Sequence, residues 1–217
     1  MTSRLMLTKF QTRELIGMII SVISLASALV APSADQGVAK QLLRKIAAAR
    51  FSAHLNEPLY QAVTLDVAPE GKVIACDPGE GEGDTASLGK ICSMALGIKF
   101  IAAKIEGKPA YGRIRTIIEV YSPPMDKAHV ELPPEQVLSV NRLPDEAKGA
   151  LEIKTNLFIS AAGSVERCEA ADDKYRAYAN VACTQLIRIT APVLKNRSGD
   201  AVGYVTAVHT RFVKEGT

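Results

Sequence analysis

The sequence predicts an α+β protein of two tandem small units, each β-β-α-β with a helix packed on a small antiparallel sheet. Three observations carry that expectation. The frame of a glycine, a valine two later and a cysteine three after that occurs at Gly71–Cys76 ("GKVIAC") and again at Gly163–Cys168 ("GSVERC"), 92 residues apart. Other landmarks keep the offset to within one residue: Cys92 and Cys183 (91), Gly107 and Gly199 (92), Gly112 and Gly203 (91), Leu65 and Leu157 (92). Within each stretch the apolar spacing switches from strand-like alternation to a helical face in the same order.

The N-terminus comes first. "MTSRLMLTKFQTRE" sets Arg4, Lys9 and Arg13 against a single Glu14, and the apolar run Leu15 to Ala31 follows. A basic start, an apolar core and small residues behind it describe a secretory signal over residues 1–34. Ala26-Ser27-Ala28 is the best small-x-small cleavage candidate and Ala31-Pro32-Ser33 a second. The alternative is an uncleaved single anchor, since the run sits at the lower limit for crossing a hydrocarbon layer of about 30 Å. Either way the rest of the chain leaves the cytoplasm.

Residues 35–56 carry an amphipathic helix pattern through Val38, Leu42, Leu43, Ile46 and Ala49. The first unit, 57–121, opens with "YQAVTLDVAPEGKVIAC", a strand, a turn at Pro69-Glu70-Gly71 and a second strand. Leu88, Ile91, Cys92, Ala95 and Leu96 then form one helical face, and "YGRIRTIIEVY" a closing strand with Ile114, Thr116, Ile118 and Val120 on one side. Residues 122–148 hold five of the eleven prolines, a linker composition, although Val137, Leu138 and Val140 could add a short element. The second unit, 149–217, repeats the plan: the hairpin "LEIKTNLFISAAGSVERC", the face Ala179, Ala182, Cys183, Leu186 and Ile187, and the strand "GYVTAVHTRFV". The turn glycines are Gly71, Gly107, Gly163, Gly199 and Gly203.

In an exported chain an even number of cysteines reads as a disulfide set. Four permit three pairings, and a helix packed on its own sheet selects Cys76–Cys92 and Cys168–Cys183. Each closes a loop of about 15 residues, which the loop-entropy model values at about 3 kcal/mol. Zinc is the competing use of four thiolates. Structural zinc sites take closely spaced cysteine pairs, and neither pair here is close.

Composition narrows the function. Net charge is +3, no dense basic run occurs and aromatics make up 5%, so a nucleic-acid surface has little support. No cofactor or metal set is legible, and the chain reads as a non-enzyme. His54, His129 and His209 have no partner motif, and Ser164 lacks the G-x-S-x-G frame of a nucleophile elbow. "PGEGEGD" (Pro78 to Asp84) pairs three glycines with three acids and would repel phosphate.

The ordered set Gly163, Val165, Cys168, Cys183, Gly199, Gly203 and Tyr204, with Gly71, Val73, Cys76, Cys92, Gly107 and Pro109 before it, resembles the C-terminal domain of the TonB energy-transducer family in its cysteine-containing periplasmic form. The serine-serine-glycine turn that often follows the cysteine in that family is absent from both copies, as is a long Pro-rich spacer. The resemblance implies a periplasmic protein- or peptide-binding module that captures an extended segment of a cell-envelope protein, such as an outer-membrane receptor, by edge-strand pairing. The alternative it implies is an inner-membrane-tethered component of a TonB-type energised outer-membrane transport system. The candidate edges are Arg113–Tyr121 and Tyr204–Val213, with Tyr204, Thr206, Val208, Thr210 and Phe212 as the partner-binding residues; the competing reading is that these edges pair with each other, between units or between molecules, and only complete the structure.

Overall fold

A computed structural model describes residues 29–48, 59–120 and 130–215. In chain order the elements are β1 (Leu29–Val30), α1 (Gln36–Ala48), β2 (Leu59–Val67), β3 (Val73–Glu82), α2 (Thr85–Ala95), β4 (Ala103–Ile105), β5 (Lys108–Ala110), β6 (Gly112–Val120), β7 (Gln136–Val140), β8 (Ala150–Ile159), β9 (Val165–Ala170), α3 (Arg176–Leu186), β10 (Leu194–Lys195), β11 (Ala201–Val202) and β12 (Tyr204–Lys214).

The expectation of two separate β-β-α-β units is overturned. Strands from both halves of the chain join one seven-stranded mixed sheet of order β3-β2-β6-β12-β8-β9, with β7 added beside β12. Strand outweighs helix, 48% against 20%, so the molecule is mostly β rather than an evenly mixed α+β fold. The physical reason lies at the seam. β6 and β12 are the last long strands of their halves, and they pair with each other in parallel, Gly112 with Val205 and Arg113 with Thr206. Val205 N donates to Tyr111 O at 3.0 Å. A small sheet left alone would expose both of those edges.

The register also fixes the layers. Ile114, Ile118 and Val120 of β6 pack into a cluster with Leu65, Val67, Ile91, Met94 and Ala95, under α2. Side chains alternate along a strand, so Val205, level with Gly112, faces the α2 side. Tyr204, Val208 and Phe212 face the other side, where they pack with Ala179, Ala182 and Leu186 of α3. The two helices therefore lie on opposite faces of the sheet. Leu96 and Ile187, expected at the ends of the helical faces, are instead cap residues and stay exposed, at 43% and 52%. Cys76 on β3 is joined to Cys92 on α2 (Cα–Cα 5.4 Å), and Cys168 on β9 to Cys183 on α3 (5.5 Å).

One turn device occurs twice. Gly71 and Gly163 both have φ of +85°, and an added Cβ would lie 2.3 Å from Phe100 O and 2.5 Å from Ala191 O respectively. Those close approaches place Phe100 N and Ala191 N to donate to the glycines' own carbonyls at 2.8 Å. Gly107 and Gly199 sit with positive φ in the turns joining β4 to β5 and β10 to β11. Gly203 differs: its α-carbon lies against the Phe158 ring, where a Cβ would come within 3.0 Å.

Each half covers the other. β4 and β5, with β1, form a small three-stranded sheet. Its Leu29, Ala31 and Ala103 cluster with Val205 of the second half, against Phe158 and Ala207. In return Leu194 and Val202 belong to one apolar cluster with Ile74 and Tyr111 of the first half. α1 adds Val38 and Leu42 to the α2 core, and Lys45 Nζ donates to Met94 O (2.9 Å) and Leu96 O, satisfying carbonyls at the end of α2. The expected helix over 35–56 is thus observed from 36 to 48, and residues 49–56 lie outside the described residues, as do positions 1–28 of the expected signal or anchor. Residues 29–34, also assigned to that segment, belong to the fold.

Candidate functional site: the open edge of β6

β12 is an interior strand. It pairs with β8 over ten residue pairs, from Tyr204 to Val213, and on its other side with β6 and then with β7 from Thr210 onward. Tyr204, Thr206, Val208, Thr210 and Phe212 therefore do not form a docking edge. Tyr204, Thr210 and Phe212 are 0–1% exposed and Val208 8%. The Pro-rich stretch read as linker supplies the covering strand, β7, through Val137, Leu138 and Val140.

The other expected edge has a different fate. β6 pairs with β2 along its full length, from Gly112 to Val120. Toward β12 it pairs only at Gly112 and Arg113. Beyond that point the two strands part, and β7 takes the place beside β12. Main-chain N–H and C=O of one residue point the same way and alternate along a strand. Because Tyr111 O faces β12, Arg115 and Ile117 turn their main-chain groups into the gap, and no strand among the described residues pairs with them there.

A clamp pins the closed end. Arg113 donates to Asp66 through Nε (2.7 Å) and Nη2 (3.0 Å), and its Nη1 reaches Pro192 O (3.1 Å) and the Tyr204 hydroxyl (3.3 Å). The guanidinium also lies over the Tyr204 ring, 4.9 Å from its centre. Burial works against the Arg113 charge, but the hydrogen bond and charge of Asp66, helped by Tyr204, outweigh it and raise its pKa. Burial pushes the Tyr204 hydroxyl up in turn, against the pull of the Arg113 charge.

The strap 130–135 runs along the gap without closing it. Arg115 Nη1 donates to Pro133 O (3.1 Å) and pairs with Glu135 (3.5 Å), and Glu135 Oε2 accepts from His209 N (2.8 Å). Glu135 thereby satisfies a β12 amide that would otherwise face the gap. Pro133 and Pro134 have no N–H to offer β6, so this stretch cannot serve as its ladder partner.

The gap opens to cavities on both faces. On the α2 face a cavity of about 730 Å³ is lined by Val38, Leu42, Ile98, Phe100, Thr116 and Ile118, with Glu152 and His209 also on its wall. On the opposite face one of about 550 Å³ is lined by Tyr60, Ala62, Thr64, Glu80, Arg115 and Ile117. A smaller space of about 90 Å³ marks the point where the strands part, between Arg113, Ala207, His209 and Lys154. β6 thus presents backbone with no strand partner among the described residues, flanked by alternating pockets, one mainly apolar and one mixed.

Sequence reasoning named the Arg113–Tyr121 stretch as an edge but missed Pro133, Glu135 and Asp66. The signal for the strap was present in the paired prolines of a segment that also carries Val137 and Leu138. Among the described residues no helix is long and apolar enough to cross a membrane. The two disulfides fit an oxidising, extracytoplasmic compartment. No protein-family model, curated protein or solved structure matches this chain.

Proposed function

We propose that this chain is a periplasmic binding protein that takes an extended segment of a cell-envelope protein as an added strand along the open edge of β6. Strand addition draws affinity from main-chain hydrogen bonds and specificity from pockets for alternate side chains. The single observation that carries this reading is the gap itself: Arg115 and Ile117 present main-chain groups beside the cavities of about 730 and 550 Å³. The lining predicts the partner's pattern, apolar residues toward Val38, Leu42 and Phe100 alternating with polar ones toward Tyr60, Thr64 and Arg115. The TonB C-terminal resemblance supports the same mode of recognition, and the reading assigns no catalytic residue and no cofactor.

The test is photo-crosslinking in intact cells with the probe at Ile117, and at Val181 on α3 as the control surface. Capture of one envelope protein at 117 and not at 181 is the expected result. Crosslinks from 117 that stay within the chain, to the strap around Pro133, would mean that the edge is closed from inside and would sink the proposal.

A further inference from the structure

We propose that the peptide bond between Ala28 and Leu29 is the processing site of this chain, and that the amino group freed at Leu29 docks on the Glu169 carboxylate. Two independent limits meet at that bond. From the N-terminal side, Ala26 and Ala28 supply the small-x-small pattern that follows the basic start and the apolar run. From the folded side, Leu29 is itself part of the packed structure, so a cut has to fall before it.

Leu29 is 0% exposed and Ala31 8%, and both belong to the cluster that seals Val205 on the second half. Val30 lies opposite Lys104 in the ladder with β4, and Ser33 exchanges backbone hydrogen bonds with Ile101 at 3.2 and 3.0 Å. Pro32 fills the space above Gly112, where a Cβ would come within 2.8 Å of its ring. Cutting at the second candidate, after Ser33, would strip all of these. It would uncover Val205 and Ala103, which are 0% exposed beneath them.

A carboxylate already stands at the Leu29 nitrogen. Leu29 N lies 3.1 Å from Glu169 Oε2, while Leu29 O accepts from Asn156 Nδ2 at 2.9 Å. Asn156 and Glu169 face each other across β8 and β9, so one ladder pair holds both main-chain groups of Leu29. Arg167 Nη2 steadies the other Glu169 oxygen at 2.7 Å. Hydrolysis adds water across the amide: the hydroxyl goes to the Ala28 carbonyl carbon, and Leu29 N becomes an amine that protonates near neutral pH. The neutral N–H donor at Glu169 is then replaced by a cation, and a charge-assisted hydrogen bond is the stronger kind.

The experiment expresses the full chain in a bacterium with an exporting envelope and reads the mature protein by N-terminal sequencing and intact mass. The expected product starts at Leu29. A start at Ala34 or any other residue, or an intact Met1 chain, overturns the proposal. The docking is read separately on the mature protein by pH-dependent acylation of its amino group. Its pKa is expected above the ordinary value of about 8, and Glu169→Gln should bring it back down while leaving the start at Leu29. An unshifted pKa, or one indifferent to E169Q, removes the docking half of the proposal.

Discussion

Asp66 and Arg113 face each other across β2 and β6; at the same ladder position of the second half, 92 residues on, β8 and β12 carry Phe158 and Val205. One pair is a salt bridge of 2.7 Å, the other apolar. The covering groups explain the contrast. The first pair lies beneath the Pro192 carbonyl and the Tyr204 hydroxyl, both of which accept from Arg113. The second lies beneath Leu29, Ala31 and Ala103. Two stretches with the same strand pairing thus bury opposite chemistry because different arms reach across to cover them. What a face buries is set by its roof, not by its own strands.

The largest expected effect tests that contrast. Arg113→Ala leaves the Asp66 carboxylate partly buried without its partner and should cost about 3 kcal/mol, the lower end for breaking a buried pair. The double change D66F/R113V, which installs the second half's residues, should cost less than the single one, since an apolar pair needs no partner. Urea unfolding of the three proteins gives the order. A double variant as unstable as R113A would show that the roof tolerates only the ion pair.

The next effect, of similar size, concerns what the halves share. The bridges Cys76–Cys92 and Cys168–Cys183 span 16 and 15 residues, so each double Cys→Ala variant should lose about 3 kcal/mol by loop entropy. Similar losses in both halves would put the contribution in the closed loop. A smaller loss in the first half would show that α1, through Lys45 at the end of α2, already holds that helix in place.

The smallest effect separates the helix starts. Asp84 caps α2 directly by accepting from Ser87 N at 2.9 Å, whereas α3 runs on from a 3-10 turn, Asp173–Tyr175, that Asp172 caps by accepting from Lys174 N at 2.9 Å. The bonds from Ser87 hold the Asp84 carboxyl below its ordinary pKa. A lowered pKa means that the folded state binds the proton less tightly, so this contribution is present above the ordinary carboxylate range and is lost as pH falls through the folded value. Asp84→Ala should therefore lower the melting temperature at neutral pH, by less than loss of either bridge, and the difference from the parent protein should vanish in acid.

Much of each half was legible, because local spacing fixes it. The glycine-valine-cysteine frame sits where the hairpin meets the helix, and the helical faces place Ile91 and Ala182 inward. Gly112 and Gly203 are the instructive error. They match at an offset of 91, yet the ladders equate Gly112 with Tyr204, since Val67 pairs with Gly112 and Ile159 with Tyr204. Each glycine answers to a different neighbour, Pro32 with Ala103 in one case and Phe158 in the other. The register of the seam, the place of β7 beside β12 and the burial of Leu29 were not legible. They depend on residues about 75 to 140 positions apart meeting in space, which no local periodicity encodes. The open edge of β6 follows from the seam, so only its address was visible beforehand.

The crossed arms have a last consequence, for modularity. A repeat whose copies are self-contained can be trimmed to one copy and still fold. Here residues 29–34 and the β4–β5 hairpin shelter the far half, and the segment around Pro192 and Leu194 shelters the near one. A fragment ending at Val120 or starting at Gln136 would leave a greasy face bare, so neither half is an autonomous piece of this molecule.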